Sequence, residues 1–442
     1  MDKPFKVISG SVTAPAGFLA AGVFCDIKRL GTGKGSNKGK KRDLGVILSE
    51  IPAAAAGMFT TNQVCAAPVK VCIEHLRKGV AQAIVVNSGN ANACTGPQGL
   101  KDARAMAWLL AEELHMPAHH VLVGSTGRIG VTLPMKHVHY GILAALTALG
   151  CEAEHADQFA EAIMTSDSRR KAIAVELLVG GKKVRIGGVC KGAGMIQPGM
   201  SSTGQRPAAA PLHATMLSFI TTDAAIESKL LQRCLGEAVA NSFNRITVDG
   251  DMSTNDTVVL LANGAAENPK LGSKNRRDLV RFQSALNFVT LELAKMIVRD
   301  GEGASRFVTI HLAGARSFFE ADAAARAVGN SALVKTSWCG GDPNWGRIID
   351  ALGYSKAKIV EEKVDIAYSR PGDKSLLYSL KRGRPTATAF SDLCKIVAAP
   401  EFDLHINLNL GRSSAVLYCS DLTEEYVDFN KGDVTDPSSL GG

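Results

Sequence analysis

The chain has 442 residues, of which 46% are hydrophobic and 21% are charged. This length allows two or three domain-sized units, and the composition is typical of a globular protein rather than a disordered one. No apolar run approaches the roughly 20 residues that are needed to span a bilayer, which argues against a membrane protein.

The net charge of +8 owes much to a basic, Gly-rich segment between Lys28 and Arg42. This segment has no interleaved aromatic residues of the kind that stack on nucleic-acid bases. It also differs from a P-loop, because Gly39-Lys40 is followed by Lys41 and not by Ser or Thr. We interpret it as a solvated loop and expect no nucleic-acid partner.

The ten cysteines include no CxxC pair and no His-Cys cluster. This spacing argues against a zinc site and against a disulfide framework, and it favours reduced thiols in the cytoplasm. An Asp- and Asn-rich run at residues 247–256 lacks the spacing and the closing Glu of an EF-hand. We therefore expect a structural turn network there, no metal ion and no cofactor.

Hydrophobic periodicity predicts alternating strands and helices along the chain. Short buried strands are predicted at residues 83–87 and 120–123, on either side of a helix at 100–115. Residues 124–130 then read as a tight polar turn. Further helices are predicted at 140–149, 157–164 and 276–299, and further strands at 307–312, 404–410 and 415–419. This mixture indicates an α/β or mixed α+β fold.

The most informative feature lies between residues 191 and 223. The Gly-rich stretch KGAGMIQPGM precedes Ala214-Thr215, and an apolar strand-like run follows directly. The Thr215 hydroxyl could attack the Ala214 carbonyl, and cleavage would leave a free amine beside the same hydroxyl. An α-amino group has a pKa of roughly 7.7–8.0 and can act as a general base. An ordinary Gly/Pro loop followed by a strand threonine is the alternative.

Further informative sequence blocks follow one another along nearly the whole chain, from Val12 to Val427. They include VVNSGNANACTG, GSTGRIG, AIMTSD, SFNRITVDGDMSTNDT, RDGEGA, GGDPNWGRI and CSDLTEEYV. In these blocks the chain resembles the ornithine acetyltransferase family, also called the glutamate N-acetyltransferases. The resemblance implies layered sheets sandwiched by helices in a self-cleaving enzyme with an N-terminal threonine nucleophile.

The resemblance also implies a reaction. Residues 1–214 would become an α chain and residues 215–442 a β chain, associated as a heterotetramer of two α and two β chains. Thr215 would take acetyl from N2-acetylornithine and pass it to glutamate. Use of acetyl-CoA as a second donor is left open.

The family's functional residues map onto particular positions of this chain. The oxyanion hole maps onto Thr126 and Gly127, and cleavage onto Ala214 and Thr215. Substrate binding maps onto Thr165, Lys191, Thr215, Glu302, Asn430 and Thr435. Residues 201–213 are an insertion relative to the family, and we expect cleavage to be retained because the entropy cost of loop closure grows slowly with loop length.

Two other interpretations remain. An aminopeptidase or amidase of the same fold is the enzymatic alternative, although such relatives use a serine where Thr215 stands. A non-enzymatic scaffold, in which the insertion has abolished processing, is the alternative from another class.

Overall fold

The computed structural model describes residues 3–32, 41–205 and 216–431. Over these ranges the chain forms two β-sheets with helices packed against them, so the predicted mixed α/β fold is confirmed. None of the helices in these ranges is both long and apolar enough to cross a membrane.

The described strands are, in chain order, β1 (Phe5–Ile8), β2 (Phe18–Val23), β3 (Leu44–Phe59), β4 (Val80–Asn90), β5 (Val121–Arg128), β6 (Lys171–Val179), β7 (Lys182–Lys191), β8 (Leu217–Thr222), β9 (Ile246–Thr247), β10 (Thr257–Ala262), β11 (Phe307–Ala315), β12 (Asp365–Ser369), β13 (Leu377–Lys381), β14 (Arg384–Pro385), β15 (Glu401–Asn407) and β16 (Ser413–Ser420). The larger sheet has the order β1-β6-β7-β8-β10-β3-β4-β5, with β2 paired to β3. The smaller sheet has the order β14-β13-β12-β15-β11-β16-β9.

The described helices are α1 (Ile27–Thr32), α2 (Ala67–His75), α3 (Gly96–Glu113), α4 (Met135–Thr147), α5 (Ala153–Ala162), α6 (Ser228–Ala240), α7 (Arg276–Arg299), α8 (Phe318–Asn330), α9 (Ala332–Cys339), α10 (Trp345–Gly353), α11 (Phe390–Val397) and α12 (Glu424–Phe429). Helix α7 has the predicted bounds. Its residues Phe282, Leu286, Val289 and Leu293 are buried, because they recur at helical spacing on one face.

The larger sheet is buried on both faces. Along β8, Phe219 packs into a core shared with α2–α5, whereas Ile220 packs into a second core shared with α6 and α7. Side chains alternate between the two faces of a strand, so the complete burial of LSFITT fits a strand with helices on both sides. The layered arrangement that the resemblance implied is therefore present.

A third core covers one face of the smaller sheet. Ile310 of β11, Leu404 of β15 and Leu417 of β16 pack there against α8–α10. The alternate residues of these strands, such as His311 and His405, point to the opposite face of the sheet.

The prediction of a tight turn at residues 124–130 is wrong. Strand β5 continues to Arg128, because β4 pairs with it in parallel as far as Asn90. Gly124 and Ser125 pair in regular register with Val86 and Asn87, and the pairing becomes irregular only at Gly89 and Asn90, near the end of β5. Thr126 and Gly127 therefore lie within a strand.

Candidate active site

Lys191 is the last residue of β7, and its backbone pairs with Leu217 at the start of β8. Its side chain is only 3% exposed, and its Nζ lies 3.8 Å from Asp167 Oδ2. Burial lowers the pKa of Lys191, while the negative charge of Asp167 opposes that change. The buried ammonium group thus lies beside the strand that follows Thr215 in the sequence.

Asp167 is the centre of this buried cluster. Its Oδ1 accepts hydrogen bonds from Lys171 Nζ and from the Gly192 amide, both at 2.6 Å. Its Oδ2 accepts the Thr165 amide at 2.9 Å. Burial alone would raise the pKa of Asp167, but the charges of Lys191 and Lys171 outweigh it and hold the pKa well below its ordinary value. Asp167 therefore links the predicted residues Thr165 and Lys191.

A second aspartate balances the charge of the cluster. Lys171 also donates to Asp300 Oδ2, and the Ser168 amide donates to the same oxygen at 3.1 Å. Two buried lysines, Lys171 and Lys191, thus face two buried aspartates. Sequence reasoning missed this network, although Asp167 and Asp300 stand in the same sequence blocks as Thr165 and Glu302.

Gly127 could not be another residue. Its φ is +128°, and a Cβ atom at this position would lie 2.4 Å from the carbonyl carbon of Gly89 in β4. This close approach fixes the backbone of the predicted oxyanion donors. Thr126, the neighbouring residue in β5, is buried.

Asn255 and Asp256 connect β5 to the start of β8. Asn255 Nδ2 donates to the carbonyl of Ser125 at 2.8 Å and to that of Ala91 at 2.7 Å. Asp256 Oδ1 accepts the amide of Met216 at 2.5 Å. Asn255 and Asp256 are consecutive, so one short segment holds both the strand that contains Thr126 and the amide of Met216, the residue after Thr215. The prediction of a structural turn network at residues 247–256 is confirmed.

The Gly-rich approach at residues 191–200 is held in place along its length. Asp249 accepts the amides of Met195 and Ile196 at 2.6 and 2.8 Å, and Asn244 accepts the amide of Met200 at 2.9 Å. Side chains from residues 244–249 therefore satisfy the backbone amides of this approach.

Glu302 and Asn430 meet although they are far apart in the sequence. Asn430 Nδ2 donates to Glu302 Oε2 at 3.0 Å, and the Glu302 amide donates to the Ala193 carbonyl at 3.0 Å. Gly194 lies so close that a Cβ there would be 2.3 Å from the same carboxylate oxygen. The charge of Glu302 also acts on Lys191. The structure thus brings two predicted binding residues to the end of β7.

A cavity of about 370 Å³ opens beside Thr165. Its lining is predominantly basic, with Lys28, Lys41, Arg169 and Arg170 against Glu161 and Asp167. Burial lowers the pKa of Lys28 to about 8, against the opposing charge of Asp43. A cavity of this size and charge suits a small molecule that carries a carboxylate.

Three predicted positions, Ala214, Thr215 and Thr435, lie outside the described residues. Among the residues that the structure does describe, Thr165, Lys191, Glu302 and Asn430 are joined by hydrogen bonds or charge contacts through Asp167 and residues 192–194. Thr126 and Gly127 are joined to the start of β8 through Asn255 and Asp256.

Comparison with known proteins decides the family. The ArgJ family model matches residues 22–433. This chain belongs to the ArgJ family. The predicted relationship to ornithine acetyltransferases and the predicted acyltransferase class are thereby confirmed at the level of the family.

Curated relatives match over nearly their full length. The arginine biosynthesis bifunctional protein ArgJ of Symbiobacterium thermophilum is 45% identical over 425 residues, which cover 96% of this chain and 98% of the relative. The protein of the same name from Listeria monocytogenes is 42% identical over 428 residues, with 96% and 98% coverage.

Solved structures of the family are also similar to this chain. The argJ protein of Bacillus halodurans is 43% identical, with a TM-score of 0.41, and covers 45% of this chain and 100% of its own. The ornithine acetyltransferase of Mycobacterium tuberculosis, solved with ornithine, is 38% identical, with a TM-score of 0.40 and the same coverage.

Proposed function

We propose that this chain cleaves itself between Ala214 and Thr215 and then transfers acetyl from N2-acetylornithine to glutamate through Thr215. The observation that supports this most directly is the pair Asn255–Asp256. This pair fixes the amide of Met216, next to Thr215 in the chain, and also the strand that contains Thr126. A nucleophile and its oxyanion donors must be positioned together in this way.

The first step is the cleavage. The Thr215 hydroxyl attacks the carbonyl carbon of Ala214, the bond to the Thr215 nitrogen breaks, and water hydrolyses the resulting ester. This releases a carboxylate on Ala214 and an amine on Thr215. A buried cation at Lys191 favours the unprotonated form of a neighbouring amine. The amine can then accept the proton of its own hydroxyl.

The second step is acetyl transfer. The Thr215 oxygen attacks the acetyl carbonyl of N2-acetylornithine, and the Thr126 hydroxyl and the Gly127 amide stabilise the oxyanion. The C–N bond breaks and ornithine leaves with a proton from the Thr215 amine. The amine of glutamate then attacks the acetyl ester and regenerates Thr215. One site that serves both halves implies ping-pong kinetics.

Substrate recognition follows from the charges around the site. Glu302 suits the side-chain ammonium of an ornithine derivative, because opposite charges pair strongly when they are partly desolvated. The basic cavity beside Thr165 suits a substrate carboxylate, which both acetylornithine and glutamate carry. Asn430 orients the Glu302 carboxylate through their hydrogen bond.

The α and β chains should remain associated after cleavage because the break precedes an inner strand. Strand β8 pairs with β7 of the α chain over Leu217–Thr222, and β10 pairs with β3 of the α chain over Thr257–Ala262. Separation would expose both of the cores that cover the larger sheet. A heterotetramer of two such pairs extends this proposal.

Intact-mass measurement tests the cleavage. The purified protein should give two fragments rather than one species of 46.5 kDa. The larger one should begin Thr-Met-Leu-Ser in N-terminal sequencing. Thr215→Ala should remain one inactive chain, whereas Thr215→Ser keeps a hydroxyl and should still cleave. A cleaved Thr215→Ala chain would contradict the proposal.

Initial rates with acetylornithine and glutamate test the transfer. Parallel double-reciprocal lines are expected, and intersecting lines would contradict a shared acetyl-enzyme. Acetyl-CoA with glutamate in the same assay tests the second donor. Release of acetate without transfer to glutamate would favour an amidase.

A further inference from the structure

We propose that His311, Asp403 and His405 form a binding site for a divalent transition-metal ion of the zinc class. Each residue offers one ligand atom, and these three atoms lie within 4.8 Å of one another. The site belongs to the smaller sheet, whereas Lys191, Thr126 and Asn255 belong to or contact the larger one. It is independent of the acetyl-transfer chemistry.

The sheet itself brings the three side chains together. His311 of β11 and His405 of β15 are direct neighbours in the parallel register. Asp403 precedes His405 by two residues in β15, so both side chains point to the same face. The residues between and beside them, Leu404 and Ile310, are buried in the core on the opposite face. Ligands on adjacent strands are positioned more rigidly than ligands on loops.

One of the three ligand-atom distances is already close to that of a coordination sphere, and all three atoms lie within 4.8 Å of one another. In a tetrahedral site with metal–ligand bonds of roughly 2.0–2.1 Å, neighbouring ligand atoms are about 3.3 Å apart. His311 Nε2 and Asp403 Oδ2 are 3.5 Å apart. The imidazole rings of His311 and His405 are nearly parallel, with an interplanar angle of 9° and centroids 4.8 Å apart. The side chains would have to rotate toward one another to shorten the larger separations around a bound ion.

Two outer hydrogen bonds orient these ligands. Ser369 Oγ lies 2.9 Å from His405 Nε2, and the Gly372 amide donates to Asp403 Oδ2 at 3.2 Å. Metal-binding histidines commonly use their second ring nitrogen in such a bond. Ser369 can thus hold the ring of His405 while Nδ1 binds the ion.

The site is accessible and its ligand chemistry is selective. The His311 side chain is 40% exposed and that of Asp403 is 10% exposed, so an ion can enter from solvent and keep water as a further ligand. Two imidazoles and one carboxylate favour zinc, cobalt, nickel or copper over magnesium or calcium, which prefer oxygen ligands alone.

Titration of the purified, untagged and chelator-treated protein with Co²⁺ tests the site. We expect one equivalent per chain to bind, with the visible absorption of low-coordinate cobalt, and Zn²⁺ to displace it. His311→Ala, Asp403→Asn and His405→Ala should each weaken binding at least tenfold. Ser369→Ala should weaken it less than these ligand variants do.

A matched control is available in the same chain. The rings of His119 and His120 also lie 4.8 Å apart, but in a T-shaped arrangement rather than a parallel one. The double variant His119→Ala/His120→Ala should bind Co²⁺ like the wild type. Thr215→Ala should also bind it fully, which separates this proposal from the proposed acetyl transfer.

Three results would overturn the proposal. They are the absence of Co²⁺ binding, binding that all three ligand variants leave unchanged, and a cobalt–thiolate charge-transfer band, which would assign the ion to cysteine. Circular dichroism and thermal melts establish that each variant is folded. The near-isosteric Asp403→Asn keeps the test valid if a histidine variant does not fold.

Discussion

The carboxylate of Asp256 accepts the amide hydrogen of Met216, with Oδ1 2.5 Å from the nitrogen. Its other oxygen, Oδ2, is buried and has no hydrogen-bond partner among the described residues. Burial raises the pKa of Asp256 well above its ordinary value, although the Met216 amide and Lys191 oppose that change. This group is therefore held toward its neutral form beside Met216, at the entry to β8.

The neutral form of Asp256 leads to a prediction about two substitutions. Asp256→Asn keeps the acceptor for Met216 and mimics a neutral acid, so folding and self-cleavage should be largely retained. Asp256→Ala leaves the buried amide without an acceptor and should cost about 1–3 kcal/mol of unfolding free energy. Urea denaturation and the cleaved fraction on a denaturing gel measure both effects. Equal damage from the two variants would show that the charged carboxylate is needed.

Substitution of Thr126 tests its proposed role in the oxyanion hole. Thr126→Val is close in volume and removes only the hydroxyl, so the proposed donor is lost while the strand remains. We expect kcat to fall by roughly 10²–10³-fold, which is typical of the loss of one oxyanion donor. Thr126→Ser serves as the control and should retain most activity. A Thr126→Val enzyme with unchanged kcat would exclude the hydroxyl from the reaction.

Alanine substitutions at Gly127 and Gly130 distinguish the stability cost of a steric clash from that of backbone strain. Both have positive φ, but a Cβ at Gly127 would meet the Gly89 backbone at 2.4 Å, whereas no atom of the described residues lies within 4 Å of a Cβ at Gly130. Gly130→Ala should cost about 1–2 kcal/mol from strain alone. Gly127→Ala should cost more, because two strands must move apart. Thermal melts of the two variants measure the difference, and equal melting temperatures would contradict the close approach.

The Asp167 cluster predicts a pH dependence of stability. The pKa of Asp167 is lowered in the folded chain, so the unfolded chain binds more protons below the unfolded-state pKa of about 3.9. The stability that Asp167 contributes is therefore complete above that pH and is lost as the pH falls below it. Asp167→Asn should be destabilised by about 3–5 kcal/mol at pH 7, since it removes the carboxylate that faces buried Lys191 and leaves Lys171 with Asp300 alone. The difference in unfolding free energy between Asp167→Asn and the wild type should be smaller in acid.

Urea midpoints at pH 7 and pH 3 measure this effect. Glu74→Gln is the control, because Glu74 pairs with Arg104 where about half of each side chain is exposed. Exposed pairs contribute about 0–1 kcal/mol. A deficit for Asp167→Asn that stays constant between the two pH values would contradict the buried ion pairs.

The sequence predicted best those elements, such as α7, whose apolar residues repeat at regular spacing. Helix α7 has the predicted bounds because its apolar residues repeat at helical spacing over 24 residues. Strand β5 was predicted too short, since its polar and Gly-rich end is extended by pairing with β4, which depends on residues far away in the sequence. Pairing across the sheet outweighed local turn preference.

The same contrast between local sequence and long-range contacts applies to the candidate site. Thr165, Lys191 and Glu302 were predicted because they stand in sequence blocks shared with a family, and Asn430 because it aligns with a family position beyond the last block; the structure describes all four. The buried partners that hold them were not predicted. Lys171 pairs with Asp167, four residues away, and with Asp300, which lies far away in the sequence, so only the fold brings all three charges together.

The contact between Glu302 and Asn430 gives the last prediction, which concerns substrate choice. If the Glu302 carboxylate binds the side-chain ammonium of acetylornithine, Glu302→Gln should raise KM for acetylornithine by about tenfold or more, since losing one partner of a charge pair costs more than about 1.4 kcal/mol. Glutamate has no such ammonium, so its KM should change much less. Asn430→Ala removes the hydrogen bond that orients Glu302, together with one to the Tyr426 carbonyl, and should raise KM for acetylornithine severalfold. Steady-state kinetics with each substrate varied measure both constants, and an equal rise in both KM values would assign Glu302 to the structure of the loop rather than to recognition of the donor.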